Sequence, residues 1–383
     1  MNINIFGSTG VIGKKTLDLV DKNFPHYKIN LLCAKSNYKL LKKQINKYNP
    51  KYAFLYNTLA FQKYNGKINN TKILNLNELF SYLSSSQSNF SVLAISGYKS
   101  LDFLEQIINN TDNLGIASKE AIVSAGHIFK KKKYFTKTNI FPLDSEHFSL
   151  FEFLKGSQRK DSIKKIIVTA SGGPFYKKKF KNLSNIKFSE AINHPKWKMG
   201  YKNSIDSATL VNKCLEVIEA HYLFDIPFNK IEVLIHPEAI VHSAIEYNNF
   251  VTQLNLFKNE MKIPLFNFFS NPKLKTNKIN EKYDLHKFSS LNFEKVKKEI
   301  FPIYSFFKRI DKTKPQNIIK FNIGNEYAVN LYKNKIIKYT DIYKIIKKVT
   351  SLNLYSPVNN IKDIIKYHEK IEKKLYYLDI SNL

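Results

Sequence analysis

Apolar and polar positions along the first third of the chain fall into a repeating order of short apolar runs and amphipathic stretches. NINIF at residues 2–6 reads as a strand, and it is followed by Gly7-Ser-Thr-Gly10-Val-Ile-Gly13 and by helical spacing through Val20. A second apolar run at Lys28–Leu32 arrives at the distance a βαβ unit requires. Runs at Tyr52–Tyr56, Val92–Ile95 and Leu114–Ala117 repeat the pattern, with helical periodicity between them. This order predicts an α/β fold that opens with a Rossmann-like parallel sheet, over residues 1–143.

The pattern then changes. Residues 144–268 predict an α+β domain, with helices at 145–154 and 207–224 and strands at Ile166–Thr169, Glu232–Ile235, Val241–Tyr247 and Val251–Leu256. Residues 172–200 show little regularity beyond a short helix near Ser189–Ile192, and a segment of that kind inside an enzyme is expected to be a lid. Residues 269–296 are polar and lysine-rich, as in a linker, and 297–383 read as a helical bundle.

Composition narrows the class. No apolar run approaches the roughly 18 residues that a membrane helix needs. The glycine motif starts at Gly7, which leaves no room for a targeting peptide, so a cytoplasmic protein is expected. Cys33 and Cys214 have neither CxxC spacing nor a disulfide framework, in keeping with a reducing compartment. The formal charge of +30 raises the question of nucleic acid. Arginine, the preferred reader of phosphates and bases, occurs only at 159 and 309, so the excess lysine reads as compositional drift and no nucleic-acid partner is expected.

Three motifs carry chemistry. The strand–glycine–helix junction at Gly7, Gly10 and Gly13 can turn backbone N–H groups toward a pyrophosphate. After the second strand comes Cys33-Ala34-Lys35-Ser36-Asn37, with no acid to hold a ribose 2′-OH and one cation, which favours NADPH. Asp144 and Glu146 follow an apolar strand, and Asn212 and Glu216 lie one helical turn apart on one face. Together they form an all-oxygen set that suits Mg²⁺ or Mn²⁺ rather than zinc. The third motif is Thr169-Ala-Ser171-Gly172-Gly173-Pro174, which, with Ser207 at an expected helix start and Lys213 nearby, can hold a phosphate monoester. His194, Trp197 and Met199 sit on the expected lid.

The segments GSTGVIG, ASKE, PLDSEH, TASGGPF, HPKWKMG, IDSATLVNKCLE, HPEAIVHS and NEMKIPL occur in this order. Their order and content resemble those of the 1-deoxy-D-xylulose 5-phosphate reductoisomerase family, from residue 2 to about 350. The resemblance implies isomerisation of that sugar phosphate and reduction by NADPH to 2-C-methyl-D-erythritol 4-phosphate, a step of non-mevalonate isoprenoid synthesis, in a homodimer. It also implies metal ligation by Asp144, Glu146 and Glu216, and catalytic parts for Lys119, Glu146 and Lys213. Substrate contacts are implied for Lys119, Ser145, Glu146, Ser171, His194, Trp197, Ser207, Asn212, Lys213 and Glu216. Cofactor contacts are implied for Gly7, Ser8, Thr9, Gly10, Val11, Ile12, Lys35, Ser36, Asn37, Ser118, Glu120, Met199 and Gly200. Four positions depart from the family pattern: Ser118, Tyr176, Asn203 and Cys214. The competing readings are another NADP-dependent dehydrogenase, which lacks a well-placed nucleophilic cysteine here, and a basic nucleic-acid binder, which leaves the carboxylates without a purpose.

Overall fold

The computed structural model describes residues 1–57, 59, 62, 66–131, 134–155, 162–195, 199–270, 286 and 290–378. They divide into two compact units: Met1–Ser118, Phe129–Phe148 and Glu260–Lys282 in the first, and Lys119–Ile128, Ser149–Asn259 and Tyr283–Leu383 in the second.

The first unit is built on β1 (Asn2–Phe6), β2 (Lys28–Ala34), β3 (Tyr52–Leu55), β4 (Lys67–Ile68), β5 (Thr71–Leu74), β6 (Ser88–Leu93), β7 (Thr111–Ile116) and β8 (Asn139–Pro142). Their order is β4-β5-β3-β2-β1-β6-β7-β8, and every pairing is parallel except the β4–β5 hairpin. The inner strands are near-continuous apolar runs because helices cover both faces of such a sheet. From β1 the chain runs to β2 on one side and later returns to β6 on the other, which makes the carboxyl end of β1 a topological switch point. One part of the core comes from far along the chain. Leu265, Phe268 and Phe269 of the helix Lys262–Phe269 pack among Ile3, Phe24, Tyr27, Phe90 and Leu143, and the Tyr27 hydroxyl donates to the Phe269 carbonyl at 2.9 Å.

The second unit contains β9 (Ile163–Ala170), β10 (Ile231–Ile235), β11 (Val241–Tyr247), β12 (Thr252–Leu256) and β13 (Glu294–Lys295), in the order β12-β11-β9-β10-β13. Only β9–β10 is parallel. The helix Val211–Phe224 packs on β9 and β10. The C-terminal helices Pro315–Lys333, Asp341–Thr350 and Ile361–Tyr376 form the expected bundle. Ile361, Ile364, Tyr367, His368, Ile371 and Leu375 bury one face of the last helix, and Asn360 caps it by accepting from the Asp363 N–H at 2.9 Å.

One expected element is corrected. The single helix over 207–224 is two helices, Tyr201–Ala208 and Val211–Phe224, broken at Leu210 with φ +63°. A left-handed leucine is unfavourable, and its almost complete burial offsets that cost. Ser207 therefore lies in the last turn of one helix instead of opening another, so the macrodipole there does not attract an anion.

Candidate active site

In the first unit the site is made of backbone. The Gly7 and Ser8 N–H groups both donate to the Cys33 carbonyl at 2.9 Å, which folds the turn onto β2. Gly7 adopts φ +93°, and a Cβ there would lie 2.4 Å from the Ala94 carbonyl oxygen. A Cβ on Gly13 would lie 2.3 Å from the Gly7 oxygen, so the helix Val11–Asn23 approaches the turn only because residue 13 has no side chain. That helix has Gly10 at its N-cap and no side-chain cap, which leaves first-turn N–H groups for an anion.

A pocket of about 300 Å³ opens beside this turn, at the switch point. Gly7, Thr9, Gly10, Cys33, Ala34 and Lys35 line one side of it, and Ala94, Ile95, Ser96, Lys99 and Phe103 the other. Of the expected cofactor residues, Lys35, Ser36 and Asn37 are exposed after β2, and Asn37 caps the next helix by accepting from the Leu40 N–H. Ser8 is buried, with its N–H donated to the Cys33 carbonyl. Ser118 is buried as well, and its hydroxyl donates to the carbonyls of Leu93 and Ile95. Ser96 and Lys99 also line this pocket, and their signal in the sequence is SGYK two residues beyond β6, the strand on the far side of the switch point.

The first unit also supplies two carboxylates. Asp144 and Glu146 stand where β8 passes into the helix Ser145–Leu154. The Asp144 carbonyl accepts the Phe148 N–H, its carboxylate lies 3.4 Å from the ring of buried His147, and Ser145 donates to Glu146.

In the second unit the site is made of side chains. Glu216 is fully buried on the helix Val211–Phe224. One of its oxygens lies 3.1 Å from the Lys119 ammonium and also accepts from the Asn212 amide; the other accepts from Lys213 at 2.7 Å. A buried carboxylate survives as an anion only with partners of this kind. Glu219, one turn further on, is buried too and lies 3.7 Å from Lys119. Cys214 is fully buried behind this face, and burial pushes its thiol well above the usual range, so it is no nucleophile.

The glycines at 172 and 173 shape a second turn in this unit, with φ of +81° and +66°. Gly173 packs against the backbone of Ser207 and Ala208, where a Cβ would meet atoms at 3.0 Å. This sets the turn that follows Ser171 against the helix that carries Ser207, across a large sequence gap. The Ser171 hydroxyl lies 3.0 Å from His194 Nε2, and the Gly173 N–H points back to Ser171 at 3.3 Å. Of the expected lid residues, Met199 is partly buried, Gly200 is the exposed N-cap of the helix Tyr201–Ala208, and Trp197 lies outside the described residues. Glu120 turns its carboxylate to Lys202 at 3.3 Å, so any cofactor contact it makes falls to its backbone.

Asp144 and Glu146 in the first unit and Glu216 in the second each offer carboxylate oxygens, the donor type that suits a hard divalent cation.

Family models match most of the chain. Residues 3–126 match that of 1-deoxy-D-xylulose 5-phosphate reductoisomerase, and residues 140–224 and 256–374 match two models of its C-terminal domains. A reductoisomerase of that name from Thermodesulfovibrio yellowstonii is 36% identical over 374 residues, covering 97% of this chain and 98% of its own. The one from Wolbachia pipientis is 36% identical over 369 residues, covering 95% and 93%. Among solved structures, the Zymomonas mobilis enzyme in complex with NADPH superposes with a TM-score of 0.84 at 28% identity, covering 100% of this chain and 99% of its own. A DOX-P reductoisomerase in complex with NADPH, fosmidomycin and magnesium gives 0.88 at 28% identity, covering 98% of both chains.

Proposed function

Since the chain belongs to the 1-deoxy-D-xylulose 5-phosphate reductoisomerase family, we infer that it converts 1-deoxy-D-xylulose 5-phosphate to 2-C-methyl-D-erythritol 4-phosphate with NADPH and a divalent metal ion. The observation that carries this reading is buried Glu216 with Lys119, Asn212 and Lys213 converging on it. A semialdehyde-type dehydrogenase needs a reactive thiol, and both cysteines are buried with raised thiol pKa values.

Asp144, Glu146 and Glu216 are assigned as the metal-binding carboxylates, and Mg²⁺ or Mn²⁺ held by them would supply Lewis-acid polarisation of the substrate oxygens. Lys119, Ser145, Asn212 and Lys213 orient those oxygens, and the two lysines keep Glu216 charged. Ser171, His194 and Ser207 are assigned to the phosphate, with the uncapped first turn of the helix Val211–Phe224 close in sequence. Holding the phosphate lets binding energy from a non-reacting group align the carbon skeleton. Residues 172–200, with Trp197, His194 and Met199, are assigned as the cover that keeps water from the reacting carbons. The turn at Gly7–Gly13 is assigned to the NADPH pyrophosphate, and Lys35 and Ser36 to its 2′-phosphate.

We also propose a homodimer joined at the edge of the second sheet. Exposed β12 is the sheet's edge strand, and Phe250, Val251 and Leu254 expose apolar surface along it. Light scattering giving a monomer's mass would refute that arrangement. Among the described residues no helix is long and apolar enough to cross a membrane. The deciding experiment for the reaction is NADPH oxidation on adding 1-deoxy-D-xylulose 5-phosphate with Mg²⁺. Oxidation should stop with EDTA, and the absence of oxidation in the intact protein would refute the assignment.

A further inference from the structure

Behind the helix that carries Ser207 lies a group of charged side chains to which none of the steps above assigns a part. On the helix Tyr201–Ala208, Lys202 and Asp206 are one turn apart and joined at 2.7 Å. Asp206 is 1% exposed, and its second oxygen accepts from the Asn325 amide at 2.8 Å. Lys202 also lies 3.3 Å from Glu120, whose carboxylate is buried. On the helix Pro315–Lys333, Glu326 follows Asn325 directly and accepts from the Asn322 amide at 3.0 Å. Both asparagines are fully buried. Three helices thus meet at one ammonium, and the carboxyls that face it outnumber it.

A short helix with a backbone-only N-cap at Gly200 and a left-handed break at Leu210 has little to hold it by itself. It is fixed from behind by this network, and Ser207 directly follows Asp206. We propose that Lys202 is a positioning residue for the substrate phosphate: clamped by Asp206 and Glu120, it fixes the helix that presents Ser207. This rests on the assignment of Ser207 to the phosphate.

The network also carries a proton. The charged groups facing Glu326 are Glu120 on the helix Lys119–Lys131 and Lys202 and Asp206 on the helix Tyr201–Ala208, with Asn322 on its own helix. One cation faces three largely buried carboxyls, which favours the protonated form of Glu326. Burial, and after it the charge of Glu120, pushes the Glu326 carboxyl up to about 7 against the pull of Lys202. As pH rises through that value, a further negative charge appears beside Lys202. The clamp is then shared with a competing anion, and phosphate affinity falls.

The test uses the full-length enzyme with NADPH and Mg²⁺, reading kcat and KM separately from pH 6 to 8.5. Lys202→Met should raise KM about tenfold or more, with kcat changed by less than about threefold, and Lys202→Arg should recover most of the loss. Ser207→Ala serves as the control for the phosphate assignment. If Ser207→Ala raises KM and Lys202→Met does not, the positioning role is refuted while the phosphate reading stands; if neither raises it, both fail. Glu326→Gln, which removes the titration and keeps the hydrogen-bonding shape, decides the matter even if Lys202→Met does not fold. It should flatten the rise in KM above neutral pH relative to the unmodified enzyme. The substrate's own phosphate ionisation is common to both enzymes and cancels in that ratio, so superimposable pH profiles would overturn the proposal.

Discussion

The candidate regions of the two units are built from different materials. Around Gly7–Gly13 the working groups are main-chain amides, and the side chains that matter are the absent ones. Around Glu216 the working groups are ionised side chains, and the main chain only spaces them along a helix. A backbone site is broken by adding atoms and a side-chain site by removing them, so the same residue, alanine, is an intrusion in one half and a deletion in the other.

That contrast is broken most sharply at Glu216. Glu216→Ala removes a carboxylate assigned to the metal and leaves Lys119 and Lys213 crowded without it. We expect kcat/KM to fall by roughly a thousandfold or more at saturating Mg²⁺. NADPH affinity should stay within about twofold, since the turn assigned to it is untouched. Activity near that of the unmodified enzyme would remove Glu216 from the metal site. Gly13→Ala is the reciprocal change. Its Cβ would stand 2.3 Å from the Gly7 oxygen, so turn and helix must separate. NADPH affinity, measured by fluorescence titration, should drop about tenfold or more and Tm should fall by several degrees, with metal affinity retained. An unchanged NADPH affinity would show that the turn does not hold the pyrophosphate.

A smaller effect is expected at Lys35. Lys35→Asp places a carboxylate after β2, so the ratio of kcat/KM for NADPH to that for NADH should narrow about tenfold, the sugar-phosphate KM remaining as it was. A ratio that does not move would put the 2′-phosphate elsewhere. The smallest effect concerns Cys214, one of the four positions that depart from the family pattern in sequence. Cys214 is fully buried one turn into the helix Val211–Phe224, and its Sγ–H donates to the Leu210 carbonyl at 3.4 Å. Cys214→Gly should cost about 1–2 kcal/mol of stability by loss of helix propensity and packing, seen as a lower Tm, with kcat changed by less than twofold. A large fall in kcat would mean that the helix positions Glu216 through this side chain.

The same contrast governs what the sequence discloses. Glycines at spacing three between a strand and a helix announce a backbone site, and β1, the helix Ser145–Leu154 and β11 fall where their apolar patterns place them. Asn212 and Glu216 are legible because one helical turn joins them. Three features are not legible. The β4–β5 hairpin has strands of two and four residues, too short for an alternating pattern to register. The break at Leu210 is hidden because leucine is an ordinary helix former, and only burial of its side chain holds φ at +63°. Lys202 is one lysine among very many until the fold sets Glu120, Asn325 and Glu326 around it from more than 80 residues away in one direction and 120 in the other.

The helix Lys262–Phe269 gives the first unit's architecture a consequence in time. The ribosome must add more than 100 further residues after β8 before Leu265, Phe268 and Phe269 reach the core they complete. At about 5–20 residues per second this is a delay on the order of ten seconds. Through that interval the nascent sheet exposes Phe24, Tyr27, Phe90 and Leu143, an apolar surface that invites chaperones or premature aggregation. Expression of residues 1–148 alone makes the delay permanent, so a truncated NADPH-binding fragment should collect in inclusion bodies, and supplying residues 260–270 on a short tether should return it to solution.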